Sequence, residues 1–105
     1  MGTRKITLDV NDRQIELDYF VQRYIDHVVG GIVGSLQGTG ELRTLDIIFD
    51  EDRIILTVND KDIGMNPFVQ NIIRNTITGM ISSLKGVDSI INVHISIIRD
   101  YEEFS

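Results

Sequence analysis

The side chains best suited to chemistry in this chain are its two histidines, His27 and His94. A zinc site needs three or four converging ligands, and the chain has no cysteine to complete one. Arg23 and Asp26 are close enough in sequence to pair with His27 locally, and Asp46 is a candidate partner for His94. We therefore predict structural or exposed histidines, with no metal, no cofactor and no catalytic residue.

The densest acidic run is Asp50, Glu51 and Asp52, with Asp46 shortly before it. Clustered carboxylates are ligands for Ca²⁺ or Mg²⁺, but the EF-hand spacing with its central glycine and terminal glutamate is missing. The run is typical of a tight, solvated turn, and we predict a turn there.

Two glycine clusters superficially resemble phosphate-binding loops: Gly30, Gly31 and Gly34, and then Gly38 and Gly40. A phosphate cradle places its glycines between a strand and the N-terminus of a helix. The first cluster lies inside a predicted helix and the second follows it, so the sequence predicts no phosphate loop.

The elements that carry these residues occur twice in the chain. Residues 5–52 align with residues 53–100 without a gap, and 16 of the 48 aligned pairs are identical. A duplicated supersecondary unit implies a pseudo-two-fold molecule in which each unit completes the core of the other. At 105 residues the chain is predicted to form a single domain, 1–105, built from these two repeats. The clearest identical runs are Val10-Asn11-Asp12 with Val58-Asn59-Asp60, and Phe20-Val21-Gln22 with Phe68-Val69-Gln70.

Each repeat has the pattern of a strand, a turn, a short strand, a helix and a long strand. Alternating apolar residues predict the strands, and a broad apolar stripe predicts the helix. Asp18 and Asn66 are suitable N-cap residues, and Pro67 fits the first helical position. Gly38 and Gly86 fall where a left-handed residue often ends a helix.

The predicted fold class is α+β: a tandem duplication of a ββαβ unit, with an antiparallel sheet and two helices packed on one face. If the short second strand of each unit is irregular, the pattern reduces to βαββαβ, the ferredoxin-like arrangement. The sequence leaves the strand order open between these alternatives.

Repeated glycines inside the two helices predict a line of contact between them. A glycine within a helix costs about 1 kcal/mol relative to alanine, so its presence in both repeats favours a packing role. Small residues one turn apart permit close helix approach. The candidate seam consists of His27, Gly31, Ser35, Asn75, Gly79 and Ser83.

Four isoleucines alternate with the predicted core positions and are expected on the open face of the sheet. This candidate interaction face comprises Ile48, Ile55, Ile91 and Ile98. An apolar patch of that kind favours burial against a second chain, so we predict a homodimer.

The composition of the chain disfavours several classes of binding partner. A net charge of −6 disfavours nucleic acid and anionic membrane surfaces, and no apolar run reaches the length of a membrane span. The sequence therefore favours a non-enzymatic interaction or assembly module, expected in the cytoplasm, with a protein partner or a second copy. The alternative is a small-ligand-binding regulatory domain with its site at the pseudo-two-fold seam, an analogy at the level of the fold.

Overall fold

The structure, a computed structural model, describes residues 3–36, 41–84, 87 and 89–100. Unit 1 contains strands β1 (Thr3–Val10) and β2 (Arg13–Gln14), helix α1 (Tyr19–Gly34) and strand β3 (Thr44–Phe49). Unit 2 contains strands β4 (Ile54–Val58) and β5 (Lys61–Ile63), helix α2 (Pro67–Ser82) and strand β6 (Val93–Asp100). The predicted fold class, α+β with two ββαβ units, is confirmed.

The six strands form one antiparallel sheet in the order β2-β1-β6-β3-β4-β5. The last strand of each unit therefore pairs with the first strand of the other unit. At the centre, Ile47 of β3 faces Ile95 of β6, and these two residues are equivalent in the repeat. The pseudo-two-fold axis consequently passes between them. Because β2 and β5 are present, each unit has the full ββαβ pattern, and their shortness leaves little free sheet edge.

One face of this sheet is buried under the helices. The alternating apolar residues of the four long strands form a single core together with the inward stripes of α1 and α2. The stripes are formed by Ile25, Val29 and Val33 in α1 and by Ile73, Ile77, Met80 and Ile81 in α2. β-branched side chains dominate this core, as expected for a pleated surface that is packed on one side.

The predicted helix starts are confirmed. The side chains of Asp18 and Asn66 accept hydrogen bonds of 2.8 Å from the backbone N–H groups of Val21 and Val69. Pro67 occupies the first turn of α2, where its missing N–H has no intrahelical partner to lose.

The helix ends differ from the prediction. Both helices stop earlier than expected, with Ser35 and Ser83 as C-caps. The backbone N–H groups of Leu36 and Leu84 bond three residues back, which tightens the final turn. The predicted left-handed residues Gly38 and Gly86 lie outside the described residues.

The turn after the first strand of each unit connects the two units through hydrogen bonds. Asn11 and Asn59 adopt positive φ angles of 53° and 51°, which asparagine tolerates better than most residues. The side-chain oxygen of Asn11 accepts from Ile91 and Asn92 at 2.7 and 3.1 Å, in the segment that leads into β6. Asn59 makes the equivalent bonds before β3, so each asparagine fixes the last strand of the other unit.

Candidate functional site

The two histidines lie far from each other in the fold. His27 is exposed on α1, whereas His94 projects from the centre of the sheet on its open face. Nε2 of His94 lies 3.0 Å from Oδ1 of Asp46, so the pairing predicted for these repeat-equivalent residues is confirmed. Both side chains remain about two-fifths exposed, at 42% and 43%, which describes a surface pair and not an enclosed catalytic dyad.

The four isoleucines of the candidate interaction face are divided between two places. Ile48 and Ile55 pair directly across β3 and β4 and are exposed on the open face of the sheet. Ile98 is exposed on the same face, but its neighbours across the sheet are Lys5 and Thr44.

Ile91 does not share that face. It lies before β6 begins, and side chains alternate between the two faces of a sheet only within a strand. It borders a depression of about 380 Å³ with Arg74 and Thr78 of α2, on the helix side of the sheet.

Three residues of the candidate seam, Asn75, Gly79 and Ser83, lie along one wall of a groove. Its other wall is formed by α1 residues outside the seam, so His27, Gly31 and Ser35 do not line this groove. A Cβ atom placed on Gly31 or Gly79 would meet no described heavy atom within 4 Å outside the local helix backbone and its chain neighbours. The helices therefore do not make close contact at these glycines, because the space that such contact would fill is open.

The acidic run is a structural turn. Oδ1 of Asp50 accepts hydrogen bonds from the backbone N–H groups of Asp52 and Arg53 at 2.8 and 3.1 Å, which closes the β3–β4 connection. These two backbone bonds lower the pKa of the Asp50 carboxyl, with smaller contributions from the charges of Arg53 and Arg74. Among the described residues, no group of three or more His, Asp or Glu side chains is arranged to hold a metal ion.

The most unusual side chain of the molecule is Asp26, the one charged residue buried among those described. Its Oδ2 atom forms an ion pair with Arg4 of β1, and its Oδ1 atom accepts from Nε of Arg99 at 3.0 Å. One carboxylate thus joins α1 to the beginning of β1 and the end of β6. Asp26 pairs with these arginines and not with His27, the neighbour considered from sequence.

Gly30 makes this cluster possible. A Cβ atom at this position would lie 2.5 Å from Nη2 of Arg99, which is too close for an undisturbed contact. The arginine crosses α1 at the missing side chain and reaches Asp26 one helical turn earlier. Gly30 is therefore a point of close approach, whereas its neighbour Gly31 faces open space.

Two concave spaces lie beside the N-terminal half of α1. On one side is the inter-helix groove, a space of about 590 Å³ between Phe20, Val21 and Tyr24 of α1 and residues 75–84 of α2. On the other side is the arginine cleft, a space of about 550 Å³. The arginine cleft is lined by Arg4, Ile6, Tyr19, Gln22, Arg23, Asp26 and His27.

Large apolar side chains stand exposed on this helix layer. Phe20 is 73% exposed and its repeat equivalent Phe68 is 71% exposed. Phe20 stacks on Tyr24, with ring centroids 6.1 Å apart and planes inclined by 6°. Part of the broad apolar stripe of each helix thus forms an outward surface.

Comparison of the chain with protein families, with curated proteins and with solved structures gave no significant match. None of the helices in the described part of the chain is both long and apolar enough to cross a membrane.

Sequence reasoning missed the Asp26 cluster because it considered only a local partner, His27, for this carboxylate. A signal was nevertheless present in the repeat. The positions equivalent to Arg4, Asp26 and Arg99 are Asp52, Arg74 and Glu51, so all three charges reverse between the units. Opposite charges attract, so a joint reversal of this kind favours an interaction among Arg4, Asp26 and Arg99, although Arg74 itself contacts the backbone oxygen of Asp50.

Proposed function

We propose that this protein is a non-enzymatic interaction module that binds through its helix layer, and that its partner is a second copy of the chain. The observation that carries the proposal is the equivalent exposure of Phe20 and Phe68 on the two helices. Large exposed aromatic residues are enriched in interaction sites, and burying them against a partner removes apolar surface from water.

The symmetry of the surface favours self-association. In a two-fold dimer the same patch of each protomer faces its counterpart. The helix layer has an aromatic side chain at equivalent positions of α1 and α2, so it presents similar chemistry after a half-turn. The aromatic residues of one copy can therefore pack beside the inter-helix groove of the other.

The open face of the sheet is the weaker surface for this purpose. Its exposed isoleucines are interspersed with Lys5, Asp46 and the polar strand residues, and one solvated face is normal in antiparallel sheets. The homodimer predicted from sequence is thus retained, but its interface is assigned to the helices.

Light scattering over a wide concentration range tests this assignment with two matched double variants. Phe20→Ser with Phe68→Ser should convert a dimer into a monomer, whereas Ile48→Thr with Ile55→Thr should leave the mass unchanged. Circular dichroism must show that both variants remain folded. A monomeric wild-type chain at every concentration would refute self-association, and a monomer produced only by the isoleucine variant would move the interface to the sheet.

A second candidate function is small-ligand binding in the inter-helix groove. Its volume of about 590 Å³ lies within the range of ligand pockets, which is roughly 300–1,000 Å³. Its position between the helices agrees with the site expected for a regulatory domain. The uncharged dye Nile red should fluoresce in this groove, and Gly79→Leu should abolish the signal by filling it. Equal fluorescence in that variant would exclude the groove as the binding site.

A cytoplasmic location remains part of the proposal. Fractionation of the native host followed by immunodetection would test it, and recovery of the chain outside the cytoplasmic fraction would contradict it.

A further inference from the structure

The arginine cleft has a chemical character that differs from the rest of the chain. The protein carries a net charge of −6, yet Arg4, Arg23 and His27 line this cleft together with one carboxylate, that of Asp26. That carboxylate is already bound to Arg4 and Arg99, and its side chain is 1% exposed. The cleft thus presents an excess of cationic hydrogen-bond donors to the solvent.

Arg4 is oriented by its ion pair with the buried carboxylate of Asp26. Its guanidinium donates to Oδ2 of buried Asp26, while its side chain remains 44% exposed. A guanidinium has five N–H donors in a rigid plane, so a bond to Asp26 leaves other donors available. Asp26 binds both Arg99 and Arg4, so the Arg4 guanidinium is already ordered before a ligand binds. This prior ordering lowers the entropic cost of binding.

Arg23 supplies a second cation on the opposite wall. It belongs to α1 and lies over the ring of Tyr19, with Cζ 5.6 Å from the ring centroid. The Tyr19 ring and the side chain of Ile6 add apolar surface to the same cleft. The lining therefore combines charged donors with a flat aromatic wall.

We infer that the arginine cleft is a binding site for a small organic oxyanion, whose carboxylate or phosphate group contacts Arg4 and Arg23. Guanidinium groups match the planar or tetrahedral oxygens of these anions and bind them through paired hydrogen bonds. The carbon skeleton of the ligand packs on Tyr19 and Ile6. This site adjoins the helix-layer interface proposed above, since Tyr19, Arg23 and His27 share a depression with Phe20, but the inference does not depend on that interface.

The test is a titration followed by amide chemical shifts of the full chain at constant ionic strength. The probes are benzoate, phenyl phosphate and the neutral analogue benzamide. Saturable shifts confined to residues 4–6 and 19–27 are expected with at least one anion and not with benzamide. The anion that binds more tightly identifies the natural ligand as a carboxylate or a phosphate.

Two variants that each remove one positive charge make the test specific. Arg23→Gln should weaken anion binding by about tenfold, in line with the loss of a charged hydrogen-bond donor. Arg13→Gln, on β2 beyond the other end of β1, is the matched control and should leave the affinity unchanged. Neither variant disturbs the pairing of Asp26 with Arg4 and Arg99.

Three results would overturn the inference. Shifts that increase linearly without saturation would indicate a general salt effect. Equal shifts with benzamide would show that the anionic group is not recognised, and equal losses in the two variants would assign the effect to net charge alone.

Discussion

Asp26 in unit 1 and Arg74 in unit 2 occupy equivalent positions in the repeat, but they have opposite charges and different contacts. Asp26 is buried and bound by two arginines from the ends of β1 and β6. Arg74 instead donates to the backbone oxygen of Asp50 and lies over the Phe49 ring, with Cζ 5.2 Å from the centroid. Duplication has therefore kept the scaffold and changed the chemistry along the helix flank.

What the two units share is the framework that sets the fold. Their strand pairings have the same register: Val10 faces Val93 just as Val58 faces Leu45. The N-caps and the asparagine turns are also equivalent. Where the units differ, the difference is concentrated on surfaces that could contact other molecules, so a function is sought there.

The largest expected effect comes from removing the buried carboxylate. Asp26→Asn should destabilise the protein by roughly 3–5 kcal/mol, because it removes the buried charge to which both Arg99 and Arg4 are bound. Arg74→Gln should cost only about 1 kcal/mol, since that side chain loses one hydrogen bond and a ring contact. Urea unfolding of both variants measures the contrast. Equal losses would mean that the two sites are energetically equivalent despite their different construction.

A second prediction concerns a feature in which the units agree. Asn11→Ala and Asn59→Ala should each cost about 2 kcal/mol, through lost side-chain hydrogen bonds and through strain at a positive φ angle. Thermal unfolding should show similar decreases for the two variants. A large effect in one variant and none in the other would show that only one unit depends on its turn.

The adjacent glycines of α1 offer a smaller and sharper contrast. Gly31→Ala should stabilise the protein by about 1 kcal/mol, because alanine favours the helix and the new methyl group meets open space. Gly30→Ala should be destabilising, since its methyl group would displace the Arg99 guanidinium. In an Arg99→Ala background, Gly30→Ala should become stabilising as well. If it remains destabilising there, Arg99 is not the reason for the glycine.

The smallest expected effect is that of Asp50. Its lowered pKa means that the carboxylate contributes stability above the pKa of the unfolded chain, and the contribution is lost as the pH falls through the folded pKa. Asp50→Asn keeps an accepting oxygen for Asp52 and Arg53 and should flatten this acid dependence with little change at neutral pH. Asp50→Ala should be less stable than Asp50→Asn at neutral pH. Identical acid profiles for the wild type and Asp50→Asn would contradict the assignment.

The backbone framework was more predictable than the surfaces. Short-range signals such as Asp18, Asn66 and Pro67 act within one helical turn, so a single sequence contains the information needed to place them. The pairing of His94 with Asp46 also followed once the repeat placed their strands together. The Asp26 cluster was not predicted because Arg4 and Arg99 lie at opposite ends of the chain and meet only after the sheet has formed.

The predictions for Ile91 and for the candidate seam were wrong for a related reason. Strand alternation places a side chain only within a strand, and Ile91 lies before β6 begins. Small residues permit close helix packing but do not cause it, and the large side chains of Phe20 and Tyr24 border the space beside Gly79. The distance between the two helices depends on the sheet on which they pack. Local sequence patterns contain no information about that distance.

The pairing of Thr3 with Asp100 has a consequence for how the chain is made. Among the described strands β1 is synthesised first and pairs with β6, the one synthesised last, so β1 lacks its principal neighbour until synthesis of β6 is complete. Contacts between such distant parts of a chain slow folding, and unpaired strands are exposed to aggregation during the delay. A nascent chain arrested before Val93 should therefore remain sensitive to protease, whereas release of the whole chain should bring resistance in one cooperative step.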